Sequence, residues 1–189
     1  MRAMWLETPL GPMVALSETS AVIALHFGGA KHFPDLAGYE MVRDCLLLRR
    51  VQHQVQDYFS GRRRDFDLPL VERGTELQRA VWHALAEIPL GSTITYLELA
   101  HRVGRPRAVR AVAQAVGRNP WTLLRPCHRV IGSDGSLTGF AGGLERKSAL
   151  LAHEAKLARK APPDAVADER PVAAEVRLMR AAQHPGSAP

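Results

Sequence analysis

Short apolar stretches punctuated by turn residues run over positions 3–27 and read as short strands separated by turns. Val22, Ile23, Leu25 and Phe27 form the densest strand candidate. Pro9-Leu10-Gly11-Pro12 and Ser17-Glu18-Thr19-Ser20 supply turn signals. From residue 39 the period changes. Met41, Cys45, Leu48, Val55 and Tyr58/Phe59 recur at three- to four-residue steps, which predicts a helix over 39–59 ended by Gly61. Cys45 falls on its apolar face and reads as a small buried hydrophobe.

A boundary is expected near Val71–Gly74, and beyond it the helix signals sharpen. Thr75-x-x-Gln78 is a capping box, with Leu77, Val81, Leu85 and Ile88 on one face of the helix it starts. Pro89 and Gly91 end that helix. Thr95-x-x-Glu98 is a second capping box, followed by Leu99, Ala100 and Val103 and closed by Gly104. Pro106 suits the first turn of a third helix running to Val116, with Gly117 as its stop. Two short helices joined by three residues including Gly and Pro have the form of a helix-turn-helix. The second carries Ala108, Ala111, Ala113 and Ala115 beside Arg107 and Arg110. Small side chains permit close approach, either to another helix or to DNA, and spacing alone leaves the two equal. From residue 159 onward the chain is rich in Ala and Pro without sustained apolar periodicity, which predicts disorder; a transient helix could form over Val172–Ala182.

The chain of 189 residues accommodates one ordinary domain or two small ones sharing a core. No apolar run approaches the roughly 18 residues of a membrane span. The first residues lack the apolar stretch of a secretory signal. Cys45 and Cys127 lack the number and spacing of a disulfide framework or zinc cluster, so a reducing, cytoplasmic location is expected. The net charge of +6 is unevenly spread. Residues 73–160 hold fourteen Lys/Arg against six Asp/Glu, whereas the segments on either side are each slightly acidic. A basic segment of this kind suggests a polyanion, nucleic acid first. An arginine-rich proteome would produce a similar bias.

The most informative residues are Pro126-Cys127-His128-Arg129-Val130. The hydrophobic run Trp121–Leu124 precedes them and Val130-Ile131-Gly132 follows, which places the thiol at the end of an expected strand. A thiol becomes a good nucleophile when a nearby base or positive charge lowers its pKa.

Tyr96, Arg110, Asn119-Pro120, Pro126–Val130, Gly142-Gly143 and Glu154 occur in the order and spacing of the O6-alkylguanine-DNA alkyltransferases, which the chain resembles from about Gly74 to Leu157. The first 72 residues fit that family more loosely, through Thr8–Pro12 and Phe59-Ser60-Gly61. The resemblance implies an α/β (α+β) protein. A small N-terminal α/β module (residues 1–72) would precede a mostly helical DNA-binding and alkyl-acceptor module (73–158) carrying the helix-turn-helix and the cysteine loop, with a tail over 159–189. It implies stoichiometric transfer of an alkyl group from O6-alkylguanine in double-stranded DNA to Cys127 after base flipping. O4-alkylthymine is a second candidate substrate.

By the same resemblance, His128 would take the thiol proton through a water and Glu154 would orient that histidine, the logic of a Cys–His–carboxylate triad. Tyr96 would rotate a phosphate and donate a proton to the departing guanine. Arg110 would fill the vacated base stack, with Arg107, Ala108 and Ala111 also facing DNA. Asn119 would be a hinge tying the recognition helix to the cysteine strand. The carbonyls of Cys127 and Val130 and the amide of Ala141 would meet the base. Phe140 would form a pocket wall where the family usually has Tyr, and Trp121 would sit at the pocket rim. Arg125 stands where a hydrophobe is usual, either reaching solvent or adding charge near the thiol. No cofactor and no metal are expected, and the protein is expected to act as a monomer.

The alternative is a lesion-binding protein without transfer activity, of the alkyltransferase-like type; the presence of Cys127 argues against it. A helix-turn-helix regulator would need a sensing or dimerisation domain that the sequence does not offer. A cysteine hydrolase lacks substrate-cleft signals.

Overall fold

The computed structural model describes residues 1–160. The tail expected over 159–189, with its transient helix, falls outside the described residues from position 161.

The N-terminal apolar stretches fold as predicted into three strands: β1 (Arg2–Leu6), β2 (Met13–Glu18) and β3 (Ala21–Phe27). They pair antiparallel in sequence order. The β1–β2 turn is closed by Gly11 N–H donating to Thr8 O at 3.0 Å, with Gly11 at φ +101°. That left-handed backbone is inexpensive only for glycine.

The helix expected from residue 39 starts later. Glu40–Met41 instead forms a short strand, β4, parallel to β1 at the sheet edge. Helix α1 spans Leu46–Phe59 and lays Leu48, Val51, Val55 and Tyr58 against the sheet. Cys45 is its N-cap and is half-buried.

Helix α2 (Glu76–Ala86) and helix α3 (Tyr96–Arg102) begin at Thr75 and Thr95, and both capping boxes are complete. The next helix, α4 (Val109–Gly117), starts three residues later than Pro106 suggested. Arg105–Ala108 form a turn instead, closed by Ala108 N–H on Arg105 O at 2.9 Å. Arg107 and Ala108 therefore precede the helix. A two-stranded parallel ladder, β5 (Ile94–Thr95) with β6 (Val130–Ile131), ties the start of α3 to the segment after the cysteine. Helix α5 (Leu144–Arg159) closes the described chain.

One apolar cluster runs through both halves. Trp121 is its keystone. It is fully buried, meets Trp82 edge to face at 5.4 Å, and donates Nε1–H to Val22 O at 3.2 Å. Backbone bonds Leu25 N to Pro120 O and Thr122 N to Leu25 O attach the same segment to β3.

Candidate active site

The approach to the cysteine is a turn and not the strand expected. Only Trp121 makes a strand-like bridge, to Leu25. Leu123 then takes φ +72° and turns the chain. Cys127–Arg129 form a single 3-10 turn. Asn119 organises this path: its Nδ2 donates to Arg125 O at 2.7 Å and its Oδ1 accepts from Trp121 N–H at 3.1 Å. Arg125 O also accepts Cys127 N–H at 2.7 Å. One side chain thus fixes both ends of the turn that presents the thiol.

His128 and Glu154, separated by 26 residues, meet where α5 packs against the 3-10 turn. Nε2 of His128 lies 2.9 Å from Glu154 Oε1, and both side chains are essentially without solvent exposure. With Nε2–H donated to the carboxylate, Nδ1 is the basic nitrogen of the ring, and it is buried with no hydrogen-bond partner among the described residues. Burial holds the His128 pKa below its ordinary value even against the Glu154 charge, so the resting ring is neutral. Burial works against the Glu154 carboxylate, but the bonds from His128 and Arg129 outweigh it and keep its pKa well below the usual carboxylate range.

Burial pushes the Cys127 thiol pKa up, opposed by Asn119, the Lys147 charge and nearby amides. The free protein therefore keeps a thiol and not a resting thiolate. Deprotonation has to accompany attack, which is the task an unpartnered, neutral imidazole can perform.

Three contributors to this site have roles that the sequence did not assign, Arg129 among them although it lies in the Pro126–Val130 run. Arg129 is buried and clamps Glu154 through Nε to Oε2 and Nη2 to Oε1, both at 2.8 Å, while its Nη1 donates to Ile88 O. Tyr58 of α1 donates its hydroxyl to Glu154 Oε1 at 2.9 Å. Lys147, at 0 % exposure, donates from Nζ to Val130 O and Thr138 O, both at 2.6 Å. Its pKa is lowered to about 8 by burial, partly offset by Cys127. Lys147 shares the helical stripe of Leu150, Glu154 and Leu157 on α5, so two charged residues on an otherwise apolar face were the available hint.

The Tyr96 hydroxyl lies 3.2 Å from the carbonyl oxygens of both Thr138 and Gly139. A Cβ on Gly139, whose φ is +63°, would come within 2.8 Å of that hydroxyl, so any other residue there would strain the backbone and displace Tyr96. Phe140 stands edge-on to His128, ring centroids 6.4 Å apart. Ala141 O accepts Lys31 N–H at 2.9 Å, and Cys127 O accepts Val130 N–H. Arg107 and Arg110 are exposed, and no ion pair among the described residues involves either. Ala111 is half-buried on α4.

Two sequence expectations are settled differently. Trp121 does not reach the pocket rim, because the core described above encloses it. Arg125 is half-buried and ends on a carboxylate rather than beside the thiol: its Nη2 meets Glu72 Oε1 at 3.0 Å, and Glu72 also holds His83 Nε2 at 2.7 Å.

A buried Cys–His–carboxylate array beside a helix-turn-helix defines a thiol-based, DNA-directed protein, and comparison with known proteins gives its class. The family described as "6-O-methylguanine DNA methyltransferase, DNA binding domain" matches residues 76–156, and "6-O-methylguanine DNA methyltransferase, ribonuclease-like domain" matches residues 1–71. The methylated-DNA–protein-cysteine methyltransferase of Methanosarcina barkeri is 43 % identical over 146 residues, covering 77 % of this chain and 92 % of that one. The inducible enzyme of the same name from Bacillus subtilis is 42 % identical over 135 residues, covering 71 % and 74 %. The Mycobacterium tuberculosis OGT crystallised in complex with DNA superposes with a TM-score of 0.77 at 36 % identity, covering 83 % of this chain and 94 % of that one.

The chain belongs to the O6-methylguanine DNA methyltransferase family. It is a DNA-repair methyltransferase with a DNA-binding domain, and it carries the catalytic cysteine at position 127.

Proposed function

We propose that the protein repairs double-stranded DNA as a monomer by one stoichiometric transfer of an alkyl group from O6-alkylguanine to Cys127, with O4-alkylthymine as a further substrate. The observation that carries the mechanism is the buried His128–Glu154 pair, which leaves His128 Nδ1 unpartnered one residue from the thiol.

Nδ1 takes the thiol proton through a bridging water. The sulfur then attacks the alkyl carbon in line, forming a C–S bond as the C–O6 bond breaks. Negative charge develops on the departing guanine, and Tyr96 donates a proton to N3 as it leaves, stabilising charge that exists only in the transition state. The imidazolium proton returns to the tyrosine through solvent, so the net proton passes from thiol to guanine. Burial raises the pKa of Tyr96, so its hydroxyl is protonated at neutral pH and holds the proton it gives. The thioether product has no leaving group that water can displace, so each protein acts once.

The flipped base requires a plug for the stack. Arg110, exposed and outside every ion pair of the described residues, is suited to it. Arg107, Ala108 and Ala111 offer charge and close approach beside it. The carbonyls of Cys127 and Val130 and the Ala141 amide edge the guanine, Phe140 walls the pocket, and Asn119 holds the cysteine turn to α4. The division near residue 72 separates a supporting module from the module that carries the reaction. Two free cysteines agree with a reducing, cytoplasmic setting; among the described residues no helix is long and apolar enough to cross a membrane.

Intact-mass spectrometry after incubation with duplex DNA containing one O6-methylguanine tests this reading. A single added methyl that maps to Cys127, stops at one equivalent and is absent from Cys127→Ala is the expected result. Tight lesion binding without mass gain would instead make the protein a lesion binder.

A further inference from the structure

The N-terminal module contributes to an opening beside the reaction site. A cavity of about 430 Å³ lies between the C-terminal half of α4 and the loop holding Phe140 and Ala141. Ala113 and Gly117 of α4 give it small, apolar walls on one side, and Phe140 and Ala141 face them. Lys31, from the loop after β3, and Arg118, at the end of α4, supply its charged rim, with the His32 imidazole beside Lys31. The volume lies within the roughly 300–1,000 Å³ of ligand clefts.

Three observations bear on what this arrangement takes. First, the Lys31 backbone is locked to the reaction-site loop by its 2.9 Å bond to Ala141 O, so the lysine's position is set by the fold and its side chain remains free. Second, no acidic residue lines the cavity, and none of the ion pairs among the described residues uses Lys31, His32 or Arg118. Cations left unpaired around an apolar cleft favour an anionic ligand with a flat apolar part. Third, Arg107 and Arg110 at the start of α4 are likewise outside those ion pairs, so unpaired basic groups lie at both ends of one helix and continue onto the neighbouring module.

We propose that the DNA-contacting surface extends past α4 onto the N-terminal module, where Lys31 and His32 hold phosphate oxygens next to the extrahelical nucleotide. The inference rests on the base-flipping reading above and adds a role for residues 1–72 beyond support. The base occupies the apolar part between α4 and the Phe140 loop. The phosphates on either side reach Lys31 and His32 on one rim and Arg118 on the other.

The test is fluorescence anisotropy with a labelled duplex carrying one O6-methylguanine, over a series of salt concentrations. Wild type, Lys31→Ala, Lys31→Ala/His32→Ala and Arg43→Ala are compared. Arg43 is an exposed cation of the same module that lines no part of this cavity. Each phosphate contact contributes about 0.9 to the slope of log K against log salt. Lys31→Ala should lower that slope by about 1 and weaken binding several-fold at low salt, the double variant further, and Arg43→Ala should match wild type. Thermal melting shows whether the variants fold; the Ala141 bond uses the Lys31 backbone and survives truncation. Lys31→Ala behaving like Arg43→Ala, while wild type still takes up one methyl on Cys127, would overturn this inference alone. A wild type that neither binds the duplex nor gains a methyl would overturn the base-flipping reading with it.

Discussion

Arg129 and Glu154 form a two-bond clamp, Nε to Oε2 and Nη2 to Oε1, inside a site that admits almost no solvent. The clamp decides how the carboxylate can serve the imidazole. Arg129, Tyr58 and His128 all donate to Glu154, so the carboxylate cannot swing away from the ring or pick up a proton at neutral pH. A buried charge held this way adds little net stability, but removing one partner strands the other.

Glu154→Gln preserves shape and removes the charge. The uncompensated Arg129 should lower stability by about 3–5 kcal/mol. Loss of an oriented base should slow single-turnover transfer by about 10²–10⁴-fold. Tyr58→Phe deletes one donor and leaves the clamp intact, at a cost of about 1 kcal/mol. Urea midpoints and rapid-quench rates separate the two, and equal effects from both variants would refute the clamp.

Lys147→Met keeps length and removes the two bonds to Val130 O and Thr138 O. The buried Val130 carbonyl, left without this donor, should cost about 1–3 kcal/mol, whereas Thr138 O keeps the Tyr96 hydroxyl. Because Tyr96 rests on the same Thr138–Gly139 carbonyls, the transfer rate should fall at temperatures where the variant is fully folded. A stability loss with an unchanged rate would show that the lysine only supports the fold.

Trp121→Ala should destabilise the protein by about 3–5 kcal/mol, the range for deleting a buried tryptophan. The ratio of benzyl- to methylguanine reactivity should stay that of wild type, because the ring is fully enclosed. A changed ratio would place Trp121 in the pocket after all.

His26, buried on β3, has its pKa lowered from 6.5 to about 4, by burial first and then by His32. The unfolded chain binds this proton more readily than the folded one, so stability is full above about pH 6.5 and is lost as the pH falls toward 4. The loss should approach about 3 kcal/mol. His26→Val should flatten the urea-stability profile between pH 6.5 and 4, leaving a residual slope from His128, whose pKa is also lowered. A slope unchanged in His26→Val would exclude the residue as its source.

Local signals were legible wherever the physics is local. Thr75-x-x-Gln78 and Thr95-x-x-Glu98 satisfy their own helix ends within four residues, so the starts of α2 and α3 follow from sequence. Short apolar stretches between turn residues gave β1–β3, and they are apolar throughout because both faces of the sheet are covered. The Pro-Cys-His-Arg-Val run, with Tyr96, Arg110, Asn119 and Glu154 at family spacing, identified the chemistry before any geometry. Tertiary structure decided the rest, because it turned on partners distant in the chain. The edge strand at Glu40–Met41 exists only because β1 offers its backbone. Trp121, apolar and next to the motif, reads equally as pocket rim or core until β3 and Trp82 close over it. The thiol's raised pKa is a property of burial and not of its neighbours in sequence. Arg129, Tyr58 and Lys147 acquire their roles from contacts spanning 9 to 96 residues, which no local pattern can encode.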